Sequence, residues 1–165
     1  MANDSKNRYY VKNTANGTFE DITTKFDGVA ILKLTGLASK GKAVNIYTAQ
    51  WNDNQGEDFL ITTVDGNNNP VVIRENVDIE ITFIVRKKYA TTQTGFNVLT
   101  THNTFVDYMT NSDVWIKSSY LGNKYVHCMC LKEYKPTTIK LERGDNSYMM
   151  GTLTLHALDA PAASS

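Results

Sequence analysis

Two cysteines in 165 residues, Cys128 and Cys130, are too few for a disulfide framework. They are separated by one residue, so on a strand both side chains leave the same face, one behind the other, and no disulfide is expected between them. Proline is also scarce, with three residues, and no uncharged apolar run approaches the length of a membrane span. The start, Met1 to Lys6, has no apolar stretch of the kind that opens a secretory leader, so the chain is expected to be made in, and at first to stay in, a cytoplasm. Charge of either sign is in short supply. Seventeen Lys and Arg balance seventeen Asp and Glu, and a chain with no basic excess is not expected to bind nucleic acid generically, a local basic patch apart.

What is present points to a folded β protein. A chain of about this length buries roughly 68–70% of its unfolded surface, enough for a core without metal or disulfide staples, and one domain over 1–165 is expected. Its ends, 1–7 and 159–165, are small and polar and are expected to fray. Threonine (20) and asparagine (16) together outnumber the charged residues, and nine tyrosines are added to them. Threonine and tyrosine suit half-buried pleated surfaces, while asparagine suits the turns between them.

Alternation of period two runs through Val29–Leu34, Ala43–Tyr47, Asp58–Val64 and, over the longest stretch, Val77–Val85. Asn52–Gly56 and Asp65–Pro70 read as turns between antiparallel strands, because their residues tolerate left-handed backbone or bond their own backbone. Thr137–Arg143 and Ser147–Leu158, joined through Gly144–Asn146, read as a closing hairpin in which Gly151 marks a bulge. Between them the period changes. Val98, Leu99, Phe105, Val106 and Met109 fall at three- and four-residue spacings, which predicts one amphipathic helix over about 96–110. Val114–Ile116 and Lys124–Tyr134 then return to strand, with Trp115 expected in the core. The fold class is therefore all-β, in the sense of a β-rich α+β chain: an antiparallel barrel or sandwich flanked by one helix.

The residues that could carry chemistry do not assemble into a reaction centre. His127, Cys128 and Cys130 hold metal-ligating atoms, but His127 points away from both cysteines and no second Cys/His pair exists, so neither metal nor cofactor is expected. His102, Asp107, Ser118 and Ser119 lack a nucleophile elbow, and five residues along a helix do not place His102 and Asp107 on one face. Gly36–Lys42 lacks the spacing of a phosphate loop. No catalytic residue is assigned, and the chain is not expected to be an enzyme. Trp51 beside Asn52, Asp53 and Gln55 could stack on and bond a sugar, which gives an alternative reading as a monomeric carbohydrate-binding β-sandwich. Asp78, Glu80 and Thr82 share one strand face, with the two carboxylates about 7 Å apart.

The run Ile79–Val85, then Phe96–Tyr108, then Val114–Gly122, then Tyr148–Leu155 resembles the second half of the belt domains of phage distal-tail proteins. Over residues 77–158 the order of elements is similar to the tube fold that those proteins share with phage tail tubes and the tube of type VI secretion. The resemblance implies a structural virion protein forming a ring, typically sixfold, in a tail or tail-to-baseplate junction. It implies homo-oligomerisation, contact with other tail or neck proteins, transient passage of DNA without specific binding, no membrane partner, and assembly in the cytoplasm of a bacterial host. Asp78, Glu80 and Thr82 would then face the channel, where negative charge repels passing DNA. Trp51, Asn52, Asp53 and Gln55 would lie in a loop between subunits, if not in one that holds a ligand.

Overall fold

The computed structural model describes residues 8–37, 45–50, 56–60, 62–64, 66–68, 70–72, 76–119, 124–142, 146–158 and 162–163. They belong to two compact units, one made of Met1–Ala38 with Asp78–Ser165 and the other of Ser39–Val77.

The larger unit is one antiparallel sheet and its helices. Its strands are β1 (Tyr9–Lys12), β2 (Glu20–Asp21), β3 (Val29–Thr35), β8 (Asp78–Arg86), β9 (Val114–Ser118), β10 (Lys124–Met129), β11 (Pro136–Lys140), β12 (Tyr148–Ala157) and β13 (Ala162–Ala163). The pairing order is β2-β1-β9-β10-β12-β8-β3, with β11 added to β12 and β13 to β10. The antiparallel, β-rich architecture with a single long helix is the one that the alternation predicted. The sheet does not close into a barrel. β2 and β3 stand at its two ends, and among the described residues no pairing joins them.

β12 pairs with three strands. On one side it pairs with β8 over nine positions, from Tyr148 opposite Arg86 to His156 opposite Asp78. On the other side its length is divided: His156 and Ala157 meet β10, and Tyr148 to Gly151 meet β11. The register of β11 slips between Pro136 and Thr138, opposite Gly151 and Met150. The irregularity expected at Gly151 thus falls on the partner strand. Ala162–Ala163, inside the stretch expected to fray, pair with Lys124 and Tyr125.

Helix α1 (Ile22–Lys25) is a single turn, capped by Asp21, whose carboxylate accepts from Thr23 N–H at 2.9 Å. Helix α2 (Val98–Thr110) begins at Asn97, whose side chain accepts from Thr100 N–H at 3.0 Å. Val98, His102, Phe105 and Met109 are its buried residues, at spacings of four, three and four that form one stripe. That stripe faces β8 and β12, on which Ile79, Ile81, Phe83, Val85, Met149, Leu153 and Leu155 are buried. Phe105 is the centre of this core. Its ring meets Phe83 at 4.7 Å and Phe26 at 5.2 Å, both edge to face. His102 expands the core on one side: it is buried, stacks on Phe83, and its Nε2 lies 2.7 Å from the Tyr134 hydroxyl.

The smaller unit contributes two hairpins. β4 (Asn45–Gln50) pairs with β5 (Gly56–Leu60), and β6 (Thr62–Val64) pairs with β7 (Pro70–Val72). The single strand expected over 58–64 is thus divided between the two hairpins. In the turn between β6 and β7 the backbone of Asn68 is left-handed, φ 63°, as the asparagine-rich segment led one to expect. No described helix is long and apolar enough to cross a membrane.

Candidate functional surface of the sheet

With α2 on one face, the alternate residues of β1, β8, β9, β10 and β12 point to the opposite face. This second face carries most of the residues to which a function could be assigned, in two neighbouring fields.

The first field lies on β8 and β12. Asp78 and Glu80 are exposed and Thr82 is half-buried, and all three lie on the face turned from the helix. Thr82 Oγ1 is 3.0 Å from Thr152 Oγ1, directly across the strand pair. Asp78 does not stand as a bare charge. One of its carboxylate oxygens accepts from Lys132 Nζ at 2.6 Å and the other lies 3.1 Å from His156 Nδ1. Those bonds, to Lys132 first and then to His156, hold its carboxyl below the ordinary value of 3.8. A lowered carboxyl stabilises the fold above the unfolded value and loses that contribution as pH falls through the folded one. The site is well solvated, so the effect is well under about 1 kcal/mol after screening. Asp78→Asn is therefore expected to lower stability slightly near neutral pH and to converge with the parent as pH falls below the ordinary carboxyl value of 3.8, as measured by urea unfolding across a pH series.

The second field lies on β1, β9 and β10. Cross-strand register places Lys12, Trp115 and His127 in one row and Tyr10, Lys117 and Tyr125 in the next. Trp115 and His127 are stacked with ring centroids 4.2 Å apart and planes at 2°, while Asp113 fixes His127 through Nε2 at 2.9 Å. Phe19, from the loop after β1, meets both lysines: Lys12 Nζ is 5.0 Å and Lys117 Nζ 4.9 Å from its ring centroid. The expectation that Trp115 is a core residue is thus corrected. It shares parity with Lys117 and His127, whereas Val114, Ile116 and Ser118 take the buried positions of β9.

The remaining candidates are scattered. His127 and Cys128 leave opposite faces of β10, and Cys130 lies just past its end. Cys128 is buried, and burial, with the nearby Asp113 and Cys130, pushes its thiol up to about 12, so it remains an unreactive thiol. Cys130 is partly buried, with its sulfur 3.6 Å from the Thr154 carbonyl. His102 bonds Asn103 and Tyr134 instead of a nucleophile or a carboxylate. Among the described residues no three His, Cys, Asp or Glu side chains lie close enough to hold a metal ion. The loop of Trp51, Asn52, Asp53 and Gln55 lies outside the described residues.

Sequence reading missed the partners of Asp78 and the contact of Tyr134 with His102. Burial pushes the Tyr134 phenol up to about 12, so its O–H is available to donate to the imidazole at every ordinary pH. The ring fits because residue 151 is glycine: a Cβ there would lie 2.1 Å from the Tyr134 hydroxyl oxygen.

No protein-family model matches the chain, and no curated protein matches it in sequence. The match is in three dimensions. A chain of the phage p2 baseplate, solved in its activated conformation with Sr, aligns with a TM-score of 0.52 over 94% of this chain. This chain shares its fold with a phage baseplate protein. Identity over the alignment is 12%, and the protein spans 45% of the baseplate chain's length, so the likeness is one of architecture. The stretches Ile79–Val85, Phe96–Tyr108, Val114–Gly122 and Tyr148–Leu155 fall on β8, α2, β9 and β12 in that order.

Proposed function

We propose that the chain is a non-enzymatic structural protein of a phage tail or tail-like particle, built into a ring or tube segment, typically sixfold, around the DNA channel. The observation that carries this reading is the fold shared with the baseplate chain. The sheet supports it physically. Long strands with unpaired ends are a liability in an isolated subunit, and closure of a ring pairs such ends with those of the neighbours. Its partners are then further copies of itself and other tail or neck proteins, and it is assembled in the cytoplasm of the bacterial host.

In this reading the Asp78, Glu80 and Thr82 field faces the channel. Asp78 is engaged by Lys132 and His156, so Glu80 is the exposed carboxylate through which the wall repels DNA. Glu80→Lys is expected to leave particle assembly intact and to slow DNA delivery, scored as phage titre against particle count. An unchanged ratio removes this face from the channel.

The ring itself is tested at the β3 end of the sheet. Leu32 is 51% exposed at a register irregularity in β3, so a charge there leaves the core untouched. Leu32→Glu is expected to abolish ring or tube formation while circular dichroism stays that of the parent. Rings of normal number and size from the variant would argue that β3 is not a subunit contact.

A further inference from the structure

Four strands of the larger unit lie side by side in the order β11-β12-β8-β3. Among the described residues no strand pairs with the outer edge of β11 or of β3. The two edges stand level with each other. Ile139, Met149, Val85 and Val29 form one row across the four strands, and Thr138, Met150, Ile84 and Ala30 form the next. Every pairing is antiparallel, so β11 and β3 run in opposite directions. Each edge offers its backbone groups at a definite place. Arg86 N–H donates to the Gly28 carbonyl at 2.9 Å, which turns residues 28 and 30 toward β8 and residues 29 and 31 outward. Val29 N–H is taken by the Phe26 carbonyl at 3.0 Å, so Ile31 is the first residue to offer both groups at the edge. On β11, Glu142 N–H donates to Ser147 Oγ at 3.1 Å, which sets residues 142 and 140 toward β12 and Ile139 outward. Both edges also carry an uncovered apolar side chain. Ile139 is 57% exposed, and Leu32, beside Ile31 at the register irregularity of β3, is 51% exposed.

We propose that copies of the chain join head to tail, the β3 edge of one pairing antiparallel with the β11 edge of the next, with Ile31 opposite Ile139. The inference rests on the ring reading above and names the two sides of its contact. Because the edges are level and opposite in direction, a copy turned about the ring axis brings its β11 beside its neighbour's β3 already antiparallel. Ile31 and Ile139 then exchange both backbone hydrogen bonds. Their side chains share the helix side of the sheet, since Ile31 stands opposite the buried Phe83 and Ile139 opposite the buried Met149. Ile31 lies two residues along from Val29, the residue level with Ile139. An even offset keeps the faces of neighbouring copies in step, and it supplies the stagger that a closed sheet of tilted strands needs. Charge does not oppose this register: Lys140 falls opposite Ala30, so no lysine meets a lysine. Pairing β3 with β3, or β11 with β11, would be isologous and would stop at two copies.

The test is light scattering of the purified full chain across a concentration series, for the parent, Leu32→Glu, Ile139→Glu, Ile139→Val and an equal mixture of the two glutamate variants. Both positions are exposed, and an unaltered circular dichroism spectrum certifies each fold. The parent and Ile139→Val are expected at ring mass, and each glutamate variant at the mass of a single copy. The mixture is expected to rise to twice that mass and no further, because each variant keeps the edge that the other has lost. Rings from Ile139→Glu would overturn the pairing while the ring reading stands, with β11 outside the contact. A dimer of either glutamate variant alone, or a mixture that stays monomeric, would overturn the head-to-tail arrangement. A parent that stays monomeric has a different meaning: it overturns the ring itself, and this contact with it. Register is read from Ala30→Cys combined with Lys140→Cys in a Cys130→Ser background. Oxidation is expected to link copies beyond the dimer on a denaturing gel, and linkage that stops at the dimer or before it would overturn the pairing of Ile31 with Ile139.

Discussion

Replacing Gly151 with alanine is expected to cost about 2–4 kcal/mol of stability, although the change adds a single methyl group. The added Cβ would fall 2.1 Å from the Tyr134 hydroxyl and 2.7 Å from two of its ring carbons. The ring cannot retreat inward, because Phe83 and His102 stand at centroid distances of 5.9 and 5.6 Å. Tyr134 must therefore leave, and its hydrogen bond to the buried His102 leaves with it. A buried imidazole without that partner costs about 1–3 kcal/mol, and the cavity under the lost ring adds to it. In a chain of this length the thermal midpoint should fall by on the order of 10 °C. The origin of the effect is open to a direct check. In a Tyr134→Ala background the same glycine substitution should cost under about 1 kcal/mol, since nothing remains to collide with. Additive costs in the two backgrounds would show that Tyr134 does not occupy the space over Gly151.

Phe105→Ala should cost still more, about 3–5 kcal/mol, as read from urea unfolding at constant slope. Phe105 is fully buried and is the ring through which α2 touches both Phe83 on the sheet and Phe26 after α1. Its threonines make α2 weak on its own, so most of its stability comes from this packing. A domain whose whole stability is about 5–15 kcal/mol loses a large fraction of it. A cost below about 1 kcal/mol would mean that α2 does not lie on β8 and β12.

These two residues mark the division between what the sequence discloses and what it hides. Phe105 belongs to a stripe with its own period, and the helix was legible from Val98 to Met109 because burial on one face leaves that period in the chain. The alternation of β8 and the hairpin of β11 with β12 were legible for the same reason. Gly151 and Tyr134 meet across seventeen residues and leave no local period, so the glycine could be read only as a place where the strand is irregular. Trp115 was misplaced because alternation fixes which residues share a face, and not which face is buried. The partners of β9 decide that, through Val11 on one side and Val126 on the other, both set opposite Ile116 and both buried. β1 itself, four residues long, was too short to give a pattern. On the far face, Asp78, Glu80 and Thr82 could be grouped from parity alone, but the lysine and histidine that engage Asp78 come from 54 and 78 residues away.

The central claim is that this fold is used for assembly. Its most direct test is the mass of the purified chain by light scattering over a concentration series, with negative-stain images of the same samples. The account predicts a discrete ring-sized species, or short stacked tubes, that grows in population with concentration. A monomer throughout the series, with no ring or tube in any image, would contradict it.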